Sequence, residues 1–263
     1  MIGERYQVLE KVAESPRSTV YRAFDWLRQR PVALRRPKVG DGRAEADALS
    51  QIHQPHVVEL VGSGNDASGP WLALEWLEGE TLDARVQREP LSSSEGLAFA
   101  RQGLQALAAV HAAGFVHRDI KPENSMLIRA ATGAFHLKLF DFELAQRVDE
   151  HTNNTSVGSV FCMAPEQFRG GPIDSRADLY ALGCVLYFAV SGRYPFDGDS
   201  NAQVITAHLQ HRCPSLASLR PDLPEDLVIL TTQLINRQRE ERPKSALSAC
   251  NLLAGSLDDK TKS

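Results

Sequence analysis

Apolar and polar residues alternate in short runs through the first third of the chain. From Tyr6 to Leu74 the segments YQVLEKV, STVYRAF, PVALR, VVELVGSG and WLALEW are rich in Val, Tyr, Trp and Leu and predict a small sheet. One stretch breaks the period of two: between Arg43 and Ile52, the residues Ala44, Ala48, Leu49 and Ile52 recur at helix spacing. After Gly79 long helical patterns take over. One opens on a serine cap at Ser92 and runs to Ala113, before Gly114; another runs from Ser175 to Ser191 and stops at Gly192. Leu179 to Val190 is apolar enough for a buried core helix. Between these lie two hairpin strands, SMLIR and FHLKLF, joined by AATGA. The closing GSLDDKTKS reads as a frayed tail.

Composition narrows the picture without deciding it. With 263 residues, 43% of them hydrophobic, the chain can fill one large domain or two lobes that share an interface. A net charge of -4 argues against a nucleic-acid partner held by bulk charge. The N-terminus lacks an apolar signal core, and no run approaches the ~18 apolar residues of a membrane span, so no membrane partner is expected. Cys162, Cys184, Cys213 and Cys250 lie far apart, without the spacing of a zinc site or a disulfide framework. A reducing, cytoplasmic setting is the default expectation.

HRDIKPEN packs His117, Arg118, Asp119, Lys121 and Asn124 into one loop between a helix and a strand. Asp119 can accept the proton of an attacking hydroxyl, Lys121 can neutralise phosphate charge, and Asn124 offers an amide oxygen to a hard cation such as magnesium. Asp141, directly after the apolar strand LKLF, suits a second metal ligand. Glu166 in MAPEQF and Arg242 in EERPKSALSA read as a buried structural ion pair.

The ordered set HRDIKPEN, DF, APEQ, DLYALGC, GRYPF and RP resembles the eukaryotic-type Ser/Thr protein kinases, especially their bacterial branch. The resemblance implies an α+β, bilobal fold: an antiparallel-sheet lobe with one helix over residues 1–77, a larger and mainly helical lobe over 78–254, and a flexible tail over 255–263. It implies ATP and Mg2+ in the cleft, with Asp119 as the catalytic aspartate, Lys121 as the Ser/Thr-type lysine, and Asn124 and Asp141 as metal ligands. Glu45 matches the helix glutamate that pairs with a strand lysine. Val12, Val20, Ala33, Leu74 and Met126 match positions around adenine, with Glu75 and Leu77 offering a backbone carbonyl and N–H. His117 and Phe142 match packing positions.

Three departures put the strength of catalysis in question. In PVALRRPK the period of two puts Val32, Leu34 and Arg36 on one face and Ala33 and Arg35 on the other. Arg35 therefore stands where the family has lysine, Arg36 is expected in solvent, and Lys38 reaches the cleft only through a bulge near Pro37. Guanidinium keeps the charge but meets phosphate in a different geometry, and a misplacement of ~1 Å can cost on the order of 100-fold in rate. In VAESPRSTVY the glycine positions of GxGxxG are Ala13, Ser15 and Ser18, which weakens the backbone grip on phosphate. Glu143 replaces the glycine after Asp-Phe and points either to solvent or toward the metal site. The resemblance implies transfer of the γ-phosphoryl group of ATP to Ser or Thr of a protein substrate, with self-phosphorylation at Thr152, Thr155 or Ser156. The alternative is a pseudokinase that acts as a nucleotide-binding or scaffold domain.

Overall fold

The computed structural model describes residues 1–129, 133–148 and 158–259, the last six by backbone alone. Two hydrophobic clusters organise it. The smaller covers one face of an antiparallel sheet whose strands are β1 (Tyr6–Glu14), β2 (Ser18–Asp25), β3 (Arg30–Pro37), β4 (Leu60–Asp66) and β5 (Gly69–Glu75), in the order β1-β2-β3-β5-β4. Val32 and Leu34 from β3 join Tyr6, Ala23, Trp71 and Ala73 in that cluster. Alternation then sends Ala33 and Arg35 to the opposite face, toward helix α1 (Arg43–Gln51). The β2–β3 register is unbroken from Ser18↔Pro37 to Asp25↔Arg30, and it sets Arg35 between Val20 and Leu72.

With no bulge at Pro37, Lys38 stays out of the cleft. Its Nζ lies 2.7 Å from Glu14 and donates to the Ser15 carbonyl at 3.0 Å, tying the β1–β2 turn to the end of β3. Arg36 corrects the expectation of a solvated side chain. It bonds Asp66 through two nitrogens, at 2.7 and 3.1 Å, because the β4–β5 hairpin lies beneath it.

The larger lobe begins after a connection at 76–79 with β6 (Glu80–Thr81) and α2 (Leu82–Arg88). Its centre is α3 (Ser93–Ala112) against α5 (Ser175–Ser191). Ser92 caps α3 by accepting from the Glu95 N–H, while Glu95 accepts from the Ser92 N–H, the reciprocal box that satisfies two orphan donors. Gly192 closes α5 at φ 72, a left-handed stop. Around them lie β7 (Phe115–Val116), β8 (Ser125–Arg129), β9 (Phe135–Leu139), β10 (Gln146–Arg147), α4 (Pro165–Phe168), α6 (Asn201–Gln210), α7 (Leu216–Leu219), α8 (Glu225–Leu234) and α9 (Ala246–Asp259). Helix α9 runs to Asp259, into the stretch read as tail, since Gly255 and Ser256 lower helix propensity without breaking the turn. Three residues of the AATGA turn and the sites Thr152, Thr155 and Ser156 lie outside the described residues.

The lobes are joined by backbone. Val58 N–H donates to the Leu139 carbonyl at 2.9 Å and Leu139 N–H to that of His56 at 2.8 Å. Lys138 adds an ion pair to Glu75 at 2.6 Å. These contacts fix β9, two residues before Asp141, against the small lobe. Among the described residues no helix is long and apolar enough to cross a membrane, and all four cysteines are free.

The Glu166–Arg242 pair is found as a two-pronged contact at 2.7 and 2.9 Å, with the guanidinium 4.6 Å from the Tyr180 ring centroid. Removing the cation strands a mostly buried carboxylate. Arg242→Ala is expected to lower stability by about 3–5 kcal/mol in urea unfolding; a loss below about 1 kcal/mol would count against a structural role.

Candidate active site

Between the lobes lies a cavity of about 390 Å³. Val12, Val20, Ala33, Leu74, Glu75, Leu77 and Met126 all line it, as do Arg35, Glu45 and Asp141 at its polar end. Val58, Trp76 and Phe140 also line it and had no sequence signal of their own. The lining is apolar at one end and charged at the other, the profile of a pocket that takes a flat ring with an anionic tail.

At the large-lobe side, Asp119 is buried and collects the loop around it. Lys121 Nζ lies 2.6 Å from Asp119 Oδ2, and Asn124 Nδ2 donates to the same oxygen at 2.9 Å and to the Asp119 carbonyl at 3.0 Å. Asp119 Oδ1 has no partner, which leaves one lone-pair oxygen for a proton. Burial alone would lower the Lys121 ammonium, but the Asp119 carboxylate outweighs it and holds it above the ordinary range. Ser125, buried behind this loop, satisfies its hydroxyl on the Lys121 carbonyl at 3.2 Å.

The loop is held from below by Asp178, a residue that sequence reasoning passed over within DLYALGC. Its two oxygens accept from the His117 N–H at 2.8 Å and the Arg118 N–H at 2.9 Å, and His111 Nε2 lies 2.9 Å away. Burial would raise this carboxyl, but His111 and the backbone donors hold it below the usual carboxylate range. The anchoring lets Arg118 take φ 66, an unfavourable backbone state for a non-glycine residue. Burial lowers the His117 imidazole below its ordinary range, and its ring lies 4.3 Å from that of Phe142, tilted at 50°. Arg118 itself donates to Gln146.

Next to this loop, which the Phe140 N–H reaches through the Asn124 carbonyl at 3.1 Å, stands Asp141, also left-handed at φ 65, with Oδ1 buried and 3.3 Å from Arg35 Nη1 but making no hydrogen bond. Arg35 is the hub of this side. Its Nη1 bonds Glu45, its Nη2 bonds Glu143, and its side chain is 6% exposed. Glu143 therefore faces the site, and its second oxygen takes Arg17 Nε, at the tip of the β1–β2 turn, at 2.5 Å. Arg17 carries no local signal, since its partner lies 126 residues away.

The turn itself is closed on its own atoms. Ser15 Oγ accepts from the Arg17 N–H at 3.2 Å and the Ser18 N–H at 3.0 Å, and the Ser15 N–H donates to the Ser18 carbonyl at 2.9 Å. A glycine-rich turn leaves such N–H groups for phosphate; here a hydroxyl already holds them.

The sequence profile of the protein kinase domain matches residues 6–254. The chain belongs to the protein kinase family. It is 33% identical over 239 residues to the serine/threonine-protein kinase PrkC of Bacillus subtilis, covering 86% of this chain and 36% of that protein. It is 29% identical over 241 residues to the probable serine/threonine-protein kinase PknB of Lactococcus lactis, covering 86% and 38%. With the serine/threonine-protein kinase PknL of Mycobacterium tuberculosis it shares 31% over 264 residues, covering 94% and 64%. This chain thus spans well under half the length of PrkC and PknB.

Three carboxylates around one guanidinium crowd the kinase cleft with negative charge. Burial raises Glu45, with Asp141 and Glu143 adding to it against the opposing pull of Arg35, to about 7 from an ordinary 4.5. Between those values the folded chain keeps a proton that the unfolded chain has lost, so stability falls as pH rises through the window. Denaturant unfolding from pH 5 to pH 7.5 should show that decline, and Glu45→Gln should flatten it. Equal slopes in both proteins would show that the proton resides elsewhere.

Proposed function

We propose that the chain binds ATP in the cleft and transfers its γ-phosphoryl group slowly to a Ser or Thr hydroxyl of a protein. The observation that carries this reading is the complete Asp119, Lys121 and Asn124 cluster, tied to the segment that carries Asp141 by the Phe140 N–H, which donates to the Asn124 carbonyl at 3.1 Å. A folded core does not require a buried carboxylate with one oxygen left unpartnered.

In this reading the partner-free Oδ1 of Asp119 accepts the proton of the attacking hydroxyl while Asn124 and Lys121 fix the carboxylate through Oδ2. Lys121, cationic beside Asp119, also offers charge to the phosphoryl group as it moves. Val12, Val20, Ala33, Leu74 and Met126 supply the apolar walls for adenine, with backbone groups of Glu75 and Leu77 at its edge. The donor set suits Mg2+: the Asn124 amide oxygen and the Asp141 carboxylate are hard ligands, and Asp141 Oδ1, although 3.3 Å from Arg35 Nη1, makes no hydrogen bond. Bound there, the ion would neutralise phosphate charge. Arg35 keeps Glu45 in place.

A second reading, a pseudokinase that signals through its shape, is favoured by the state of the cations and amides. Both terminal nitrogens of Arg35 are on carboxylates, and the turn amides are on Ser15. PrkC and PknL are named serine/threonine-protein kinases, which supports the first reading. Self-phosphorylation at Thr152, Thr155 or Ser156 belongs to it.

Incubation with labelled ATP, magnesium and a generic acceptor protein separates the two. Slow incorporation is expected, lost by about two to four orders of magnitude in Asp119→Asn and changed in rate by Arg35→Lys. No label in wild type or Arg35→Lys, with no thermal shift on ATP and magnesium, would leave the pseudokinase.

A further inference from the structure

Glu143 occupies the charged end of the cleft in an unusual way, since each of its oxygens is committed to a different guanidinium. Oε2 takes Arg35 Nη2 from the floor, and Oε1 takes Arg17 Nε from the turn above at 2.5 Å. Its side chain is 16% exposed and that of Arg35 6%, so this arm is shielded from water and salt, whereas Arg17, 45% exposed, leaves the other arm open to both. Two guanidinium groups converging on one anion is the arrangement by which proteins hold a phosphate. Here the anion is the protein's own.

The neighbouring cations offer no replacement. Lys121 is on Asp119, and Lys38 is on Glu14 and the Ser15 carbonyl. The turn N–H groups of Arg17 and Ser18 are on Ser15 Oγ. Around the bridge, Arg17 and Arg35 already face Glu143 and Asp141, with Glu45 on Arg35 as well, so neither cation is in surplus. An arriving polyphosphate must displace a carboxylate and enter a region without surplus positive charge. The apolar end, lined by Val20, Ala33, Leu74 and Met126, presents no such obstacle.

We propose that Glu143 is the specificity-determining residue of the cleft: it stands in for a phosphate between Arg35 and Arg17, so that the protein recognises the nucleoside and gains little from the phosphate chain. The proposal rests on the reading of the cavity as an adenine-nucleotide site. Exchanging Glu143 for glutamine keeps the shape, removes the competing charge and leaves a single acceptor oxygen for two guanidinium groups, so one arm of the bridge is freed.

Isothermal titration in chelator, where phosphates meet the side chains alone, tests this with adenosine and with ATP. In wild type ATP is expected to bind no more than about tenfold tighter than adenosine, less than one good charge-assisted contact is worth. In Glu143→Gln the ATP affinity should rise by about tenfold or more, with adenosine within about twofold of wild type. If wild type binds ATP about a hundredfold tighter than adenosine, or if Glu143→Gln leaves ATP binding unchanged or weaker while adenosine is unaffected, the proposal is overturned and the nucleotide site stands. If neither ligand binds any of the proteins, the nucleotide reading falls and this proposal with it. The wild-type comparison needs no variant, so it decides the matter even if Glu143→Gln does not fold.

Discussion

One guanidinium shared among three carboxylates governs the small lobe and its cleft. Arg35 is carried by β3 onto the cleft face, between Val20 and Leu72, and from there reaches α1 through Glu45, and Asp141 and Glu143 in the loop after β9. The contacts tie both α1 and the loop after β9 to the sheet. Unpaired, any of these charges would be costly in so dry a place, so the elements that carry them are constrained together. Arg17 extends the chain of charges to the turn that roofs the cleft.

This arrangement differs from a lysine in chemistry as well as in size. A single ammonium can hold one carboxylate and still face a phosphate, whereas a planar fork can bind separate acids through separate nitrogens. Arg35 uses its fork in the second way. The glutamate that follows Asp-Phe and the hydroxyl of Ser15 complete a site whose donors are satisfied internally. The large-lobe half is different: Asp119 and Asp141 each keep a buried oxygen without a hydrogen bond. One half is closed and the other is poised.

Much of this was legible in the sequence because the governing patterns are local or ordered. Alternation in PVALR assigns Arg35 to the cleft face, the serine cap and Gly192 bound the two main helices, and HRDIKPEN gathers its polar groups within eight residues. The apolar cavity lining follows from the same family pattern. What stayed hidden depends on pairs far apart in the chain. Nothing near Arg17 signals Glu143, nothing near Arg36 signals Asp66, and Asp178 sits in a helical run whose apolar residues dominate its pattern. Ser15 was visible as a lost glycine, but its capture of the turn amides depends on the closed turn.

The central claim, that Arg35 and Glu143 are energetically joined in the resting protein, is tested most directly by a double-mutant cycle. Urea unfolding of wild type, Arg35→Gln, Glu143→Gln and the double variant yields their coupling energy free of the separate cost of each change. The account predicts a favourable coupling of about 1–3 kcal/mol. A coupling indistinguishable from zero would contradict it, and would return Glu143 to solvent and Arg35 to the service of a phosphate.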